Sequence, residues 1–236
     1  MDQEEGDERM EDLTLAQLDR DGAIREGLER IGVDSRMDFL RKATVGGAAL
    51  FGAFALTDEA WAATSPNDVA ILNYALTLEY LQAAFYTEAE RAKALRGNAA
   101  RAASVVGPVE RAHVSAFLQA LGSAAVKRPA FDFRGTTEDQ RLFLKTAVAF
   151  EDLAVGAYKA QAPKLKSPAV LAVAVSIHSV EARHAGWMRR LAGFVPAGKA
   201  FDDAIEKPEV LRIVSSTGFI ASTAKTKGRG EPQFTG

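Results

Sequence analysis

Glu110-Arg111-Ala112-His113 and Glu181-Ala182-Arg183-His184 are two copies of one pattern, Glu-x-x-His, in a chain that holds only three histidines. On an α-helix, residues i and i+3 are neighbours on one face, about 5–6 Å apart. Each copy therefore offers a carboxylate and an imidazole to the same point in space. The surrounding residues follow the 3.6-residue period of an amphipathic helix. Val106, Glu110, His113, Phe117 and Leu121 share one stripe, and Val173, Ile177, Glu181, His184, Met188 and Leu191 share another.

Two further stripes carry a single glutamate each. One runs through Leu72, Ala75, Glu79, Ala83 and Tyr86, the other through Leu144, Ala147, Glu151, Val155 and Tyr158. All four glutamates fall near the middle of their helical patterns, so they meet in one layer of a bundle whichever way the helices run. A carboxylate buried without a partner is very costly, and glutamate is rarely buried unless paired. Arg111 and Arg183 lie off the stripes and no basic residue occupies these central levels. Two divalent cations would balance four carboxylates directly. The competing reading is a pair of ordinary core histidines with incidental acids nearby.

Breakers delimit four helices. The first is expected from about Asn67 to Lys93, after Ser65-Pro66 and before Arg96-Gly97-Asn98. A second runs from about Ala99 to Leu121 and stops at Gly122. The third starts at Thr137, whose hydroxyl caps the helix while Gln140 reaches back, and ends before Pro163. The fourth opens at Ser167-Pro168, a cap followed by proline at the first helical position, and ends near Gly193. No strand pattern competes, so the fold class is all-α. Residues 123–136, with Phe131, Pro129, Phe133 and Gly135, read as a long loop. About 14 residues can extend up to about 46 Å, enough to traverse the bundle and let helices two and three run parallel. Residues 194–223 read as an irregular packing segment anchored by Phe201, Val210, Leu211, Ile213, Phe219 and Ile220, and 224–236 as a disordered tail.

The bulk numbers narrow the chemistry. The chain has 236 residues, 47% hydrophobic, and a net charge of −2, which points to no nucleic-acid partner. Without cysteine there are no disulfides and no thiolate ligands, leaving oxygen and nitrogen donors for iron, manganese or zinc. Residues 1–34 form an acidic extension with 12 Asp/Glu against 4 Arg. No apolar run reaches the roughly 20 residues of a membrane span. The shorter run Val45–Leu56, preceded by Arg36, Arg41 and Lys42 and followed by Ala60-Trp61-Ala62, has the layout of an export signal over residues 35–62. Its segment Ser35-Arg36-Met37-Asp38-Phe39-Leu40-Arg41-Lys42 resembles the twin-arginine signal, with Met37 where the second arginine belongs; a retained helix is the alternative.

Over residues 66–193 the chain resembles the ferritin-like superfamily, with bacterioferritin and rubrerythrin as metal-site relatives. In that arrangement two helices each give one Glu, and two others each give Glu-x-x-His. The export-like segment and the Phe201-Asp202 tail resemble the secreted ferritin-like family that includes desiccation-related proteins. The resemblance implies a ferritin-like four-helix bundle with a long crossover between helices two and three. It implies two iron ions, or manganese or a mixed Fe/Mn pair. Glu79 and Glu151 would be terminal ligands, Glu110 and Glu181 bridging ligands, and His113 and His184 would each bind one ion. Tyr86, seven residues after Glu79, matches the tyrosine beside the bacterioferritin site and could bond a ligand or supply an electron, with packing as the alternative, while Tyr158 reads as packing. Expected substrates are Fe²⁺, O₂ or peroxide. Open alternatives are a manganese catalase-like enzyme and a non-catalytic stress protein whose ions stabilise the bundle. A homo-oligomer fits; a storage cage does not, because both extensions would need room in a closed shell. The expected location is periplasmic, extracellular or in the cell envelope. His178, about 60° round the helix from Glu181, is expected off the site, Trp61 and Trp187 in packing, and Glu90 at a solvated helix end.

Overall fold

Ser65 sits in extended backbone and its side chain accepts a hydrogen bond from the Asp68 amide, with Pro66 at the first helical position. This is the start signal of the first helix, α1 (Pro66–Ala92), which ends where Lys93 turns left-handed. In the computed structural model, residues 65–221 are described. The expectations for the acidic extension, the export-like segment with Trp61, and the tail from 224 lie outside them. Three more long helices follow: α2 (Gly97–Leu121), α3 (Gln140–Gln161) and α4 (Pro168–Leu191). Pro108 removes one amide from the interior of α2, yet the helix continues through it with Val106 and Glu110 fully buried on either side. Among the described residues no helix is long and apolar enough to cross a membrane.

α1 packs along α2, and α3 along α4, making two antiparallel hairpins. Their mutual orientation follows from the ends. The Arg96 amide before α2 donates to Gln140 Oε1 at the start of α3, 3.2 Å away. At the other end, the Val126 amide just past α2 donates to Asn73 Oδ1 near the start of α1, at 2.7 Å. α2 and α3 therefore start at the same end, and the segment between them travels the length of the bundle. The crossover expected from the sequence is present.

Two expectations need correction. The cap of α3 is Asp139, whose carboxylate accepts from the Leu142 amide at 2.8 Å. Thr137 is fully buried and donates its hydroxyl to Glu88 Oε1 on α1 at 2.7 Å, so it ties down the crossover and the helix starts later. The segment 194–220 is not irregular throughout. A fifth helix, α5 (Lys207–Thr217), forms with Pro208 in its first turn and a left-handed Gly218 at its end. It buries Val210 and Val214, and Phe219 follows them into the core. Phe201, by contrast, is 82% exposed, and Leu211 and Ile220 are also exposed, so these three anchor nothing. The end of α5 is sewn to the crossover: Asp132 donates its amide to Phe219 O at 2.8 Å, and Ala221 to Ala130 O at 2.9 Å.

The core forms two apolar clusters along the bundle axis. One gathers Phe85, Phe133, Phe143 and Phe150, with Phe85 stacked on Phe143 at 5.2 Å; the other gathers Leu72, Leu76, Phe117, Leu121 and Ile177. A polar layer lies between them. The far end is closed by Asp68, fully buried on α1, which accepts from the Lys166 and Ser167 amides at 2.9 Å each. Asp68→Ala would strand two amides at the start of α4, and an unpaired buried amide costs about 1–3 kcal/mol. Denaturant titration should show a loss of about 3 kcal/mol with the polar layer unaffected.

Candidate metal centre

Each of the four long helices delivers its stripe glutamate to the polar layer. Glu79, Glu110, Glu151 and Glu181 are 0% exposed, and His113 and His184 are 8% and 7% exposed. Their donor atoms fall into two groups, each within 4.8 Å: Glu79, Glu110, His113 and Glu181 in one, Glu110, Glu151, Glu181 and His184 in the other. Glu110 and Glu181 belong to both groups, while Glu79 and Glu151 each belong to one. This is the geometry of two adjoining cation positions with two shared carboxylates.

The contacts run through Nδ1 of both histidines. His113 Nδ1 lies 3.2 Å from Glu79 Oε2, 3.4 Å from Glu110 Oε2 and 3.1 Å from Glu181 Oε1. His184 Nδ1 lies 2.8 Å from Glu110 Oε1 and 3.7 Å from Glu151 Oε2. Several of these approaches are close without being aligned. Both oxygens of Glu110, Oε1 of Glu181 and Nδ1 of His184 have no hydrogen-bond partner although fully buried. Buried polar atoms are otherwise nearly always satisfied. Carboxylate oxygens and imidazole nitrogens converging with so few aligned hydrogen bonds suit a cation, so this oxygen-and-nitrogen set fits a pair of divalent metal ions.

Around this set stand three donors. Tyr86 on α1 donates its hydroxyl to Glu151 Oε1 on α3. Tyr158 on α3 donates to Glu79 Oε1 on α1, at 2.5 Å. Gln82 donates its amide to Glu151 Oε2 at 3.1 Å and Glu181 Oε2 at 3.3 Å. Tyr158 is thus not mere packing, which corrects the sequence reading; it is the counterpart of Tyr86. The sign was present, since each tyrosine follows its own helix's glutamate by seven residues. Gln82 was overlooked; the signal was a polar residue three positions after Glu79 in an apolar run.

Without metal, protons take the place of cations. Burial raises Glu79, Glu151 and Glu181, the last two to about 8 and about 7, with neighbouring carboxylates adding to the rise. Burial also works on Glu110, but the two imidazoles beside it win and hold it at about 2. Burial opposes a charge on the histidines, and the carboxylates outweigh it: His184 rises to about 10 and His113 well above its usual value.

The remaining candidates stand apart. His178 belongs to neither group and its Nε2 has no hydrogen-bond partner. Arg111 pairs with Glu90 at 3.1 Å across Gly107, where a Cβ would come within 2.2 Å of Glu90 Oε1. Glu90 is therefore held in an ion pair over α2, not simply solvated at a helix end. Trp187 is half-buried against the aromatic cluster.

A model of the ferritin-like domain family matches residues 67–193, the stretch that holds the four bundle helices, short only of Pro66, and all six converging residues. No curated protein matches the chain.

Proposed function

Because this chain belongs to the ferritin-like domain family, we propose that its polar layer holds two iron ions, with manganese or a mixed Fe/Mn pair as alternatives, and oxidises Fe²⁺ or consumes O₂ or peroxide. The observation that carries this reading is the set of buried polar atoms of Glu110, Glu181 and His184 that converge without an aligned hydrogen bond. Glu79 and His113 would serve one ion, Glu151 and His184 the other, and Glu110 and Glu181 both. When bound, such a pair supplies electrons to O₂ or peroxide, and carboxylate ligands tolerate the change of charge. The residues of the chain fix the geometry. Tyr86 occupies one oxygen of Glu151 and Tyr158 one oxygen of Glu79, so each terminal carboxylate is turned to present the other. Tyr86 is a positioning residue in this scheme, acting through Glu151. The basic, apolar and Ala-x-Ala order of residues 35–62 supports placing this activity outside the cytoplasm, as protection in oxidative or desiccation stress.

The burial also supports a second reading, in which the ions chiefly hold the bundle together. The glutamates are wholly enclosed, and only the histidines show slight exposure. Mixing the metal-free protein with Fe²⁺ and O₂ separates the two. The catalytic reading expects rapid growth of the near-ultraviolet absorbance of oxidised iron, with His113→Ala reducing the rate about 100-fold, the scale of a lost site contact. Fe²⁺ that binds but oxidises no faster than buffer would favour the structural role. O₂ evolution from peroxide by the manganese-loaded protein would favour the catalase-like one.

A further inference from the structure

α1 and α3 correspond residue for residue with an offset of 72 positions, while the Glu-x-x-His pairs of α2 and α4 correspond at 71. Glu79 answers to Glu151 and Tyr86 to Tyr158, and each tyrosine bonds the other half's glutamate. The match extends to the neighbours that line one small void between α1 and α3. Its lining consists of three pairs at that offset, Leu78 and Phe150, Leu81 and Leu153, and Gln82 and Ala154. The last pair breaks the chemical symmetry. Gln82 is 2% exposed and gives its amide to Oε2 of Glu151, which belongs to the His184 group alone, and to Oε2 of Glu181, which is shared by both groups. Ala154, equally buried, has no donor to give to Glu79 or Glu110.

We infer that Gln82 is a positioning residue that makes the two cation positions unequal, with the His184 position binding a divalent cation more tightly than the His113 position. The inference rests on the six residues holding two ions. Glu151 is a donor of the His184 group alone, and Glu181, shared with the His113 group, turns its other oxygen, Oε1, to within 3.1 Å of His113 Nδ1, leaving the Gln82-bonded Oε2 on the Glu151 side. An amide that bonds both carboxylates holds them side by side against their mutual repulsion and adds no positive charge to compete with the cation. Outer contacts of this kind typically contribute about 10–100-fold in metal affinity. The terminal carboxylates are matched by their two tyrosines, so the unmatched amide decides the order of filling. The His184 position then keeps its ion, and the His113 position exchanges its own with solution. In a centre that oxidises Fe²⁺, the exchanging position is where the substrate ion turns over.

The test is anaerobic titration of the metal-free full-length protein with Co²⁺, following visible absorbance, with a competing chelator to set the affinities. The wild type should bind two ions in two resolved steps at least about tenfold apart. His184→Ala should remove the tight step and His113→Ala the weak one. Gln82→Met keeps the volume and deletes the donor; it should weaken the tight step about tenfold or more and the weak step, reached only through the shared Glu181, several-fold less. Gln82→Leu serves if the first variant misfolds. A general loss of packing would instead weaken both steps alike and lower the melting temperature of the metal-free form. Two ions binding with equal affinity, a tight step lost in His113→Ala, or a tight step unmoved in both Gln82 variants would overturn the inference alone. Binding of fewer than two ions by the wild type would overturn the two-ion reading and the inference with it.

Discussion

Stripped of metal, the protein should melt at least about 10 °C lower at pH 8 than at pH 5.5, whereas the metal-loaded form should show little change between them. The sign follows from the groups in the polar layer. Glu151 and Glu181 are raised to about 8 and about 7, and Glu79 is raised too, so the folded chain holds protons that the unfolded chain has lost above about pH 4.5. That relative stability is present at acid pH and disappears as pH rises through 7 and 8. His184, raised to about 10, and His113, raised well above its usual value, act in the same direction: their contribution is full below about pH 6.5 and declines as pH rises, for His184 towards 10. Only Glu110 opposes, and its pKa of about 2 puts its effect below this window. Together the groups amount to a loss on the order of 5 kcal/mol from pH 5.5 to pH 8. A chain of this size shifts by roughly 2–4 °C per kcal/mol. Bound cations keep the ligands deprotonated and replace the protons, which flattens the profile. Circular-dichroism melts at both pH values, with and without chelator, make the comparison. A metal-free form that melts at one temperature at both would mean that the carboxylates are hydrated, and the buried layer would be wrong.

Glu110→Ala should cost more metal than the loss of either terminal glutamate. Glu110 stands 2.8 Å from His184 Nδ1 through Oε1 and 3.4 Å from His113 Nδ1 through Oε2, so it faces both positions. Removing it takes one donor from each, and the bound metal should fall from two ions per chain to one or none. Glu79→Ala takes a donor from the His113 group only and should leave one ion in place. Elemental analysis after dialysis against a weak chelator gives the count. If Glu110→Ala combined with Glu181→Ala still retained two tightly bound ions, these residues would not be the ligands. Glu79→Ala losing both ions would show that the positions are not separable as drawn.

Much of this arrangement could be read before any fold was known, because it depends on periodicity within single helices. The stripes through Glu79, Glu110, Glu151 and Glu181 each repeat within one helix, and that local rule brought all six residues into one layer. What escaped depends on partners far away along the chain. Gln82 meets carboxylates 69 and 99 positions distant, and Tyr158 meets one 79 positions distant. A tyrosine on an apolar stripe is indistinguishable from packing until the opposite helix is placed. The start of α3 was misjudged because Thr137 resembles a cap, while the crossover employs its hydroxyl to reach α1. α5 was missed because 11 residues with two buried valines barely register as a period, although Pro208 and Gly218 bracketed it.

The sharing of ligands between hairpins has a consequence for how the chain matures. The α1–α2 hairpin owns Glu79, Glu110 and His113, yet its cation position also needs Glu181; the α3–α4 hairpin owns Glu151, Glu181 and His184, yet its position also needs Glu110. Neither half is complete by itself for either ion. On the two-ion reading proposed above, metal capture would be a late event that follows the docking of the two hairpins, and a chain docked in the wrong register would be left without a full coordination shell. An occupied centre is in that sense a certificate of correct assembly, issued by the fold to itself.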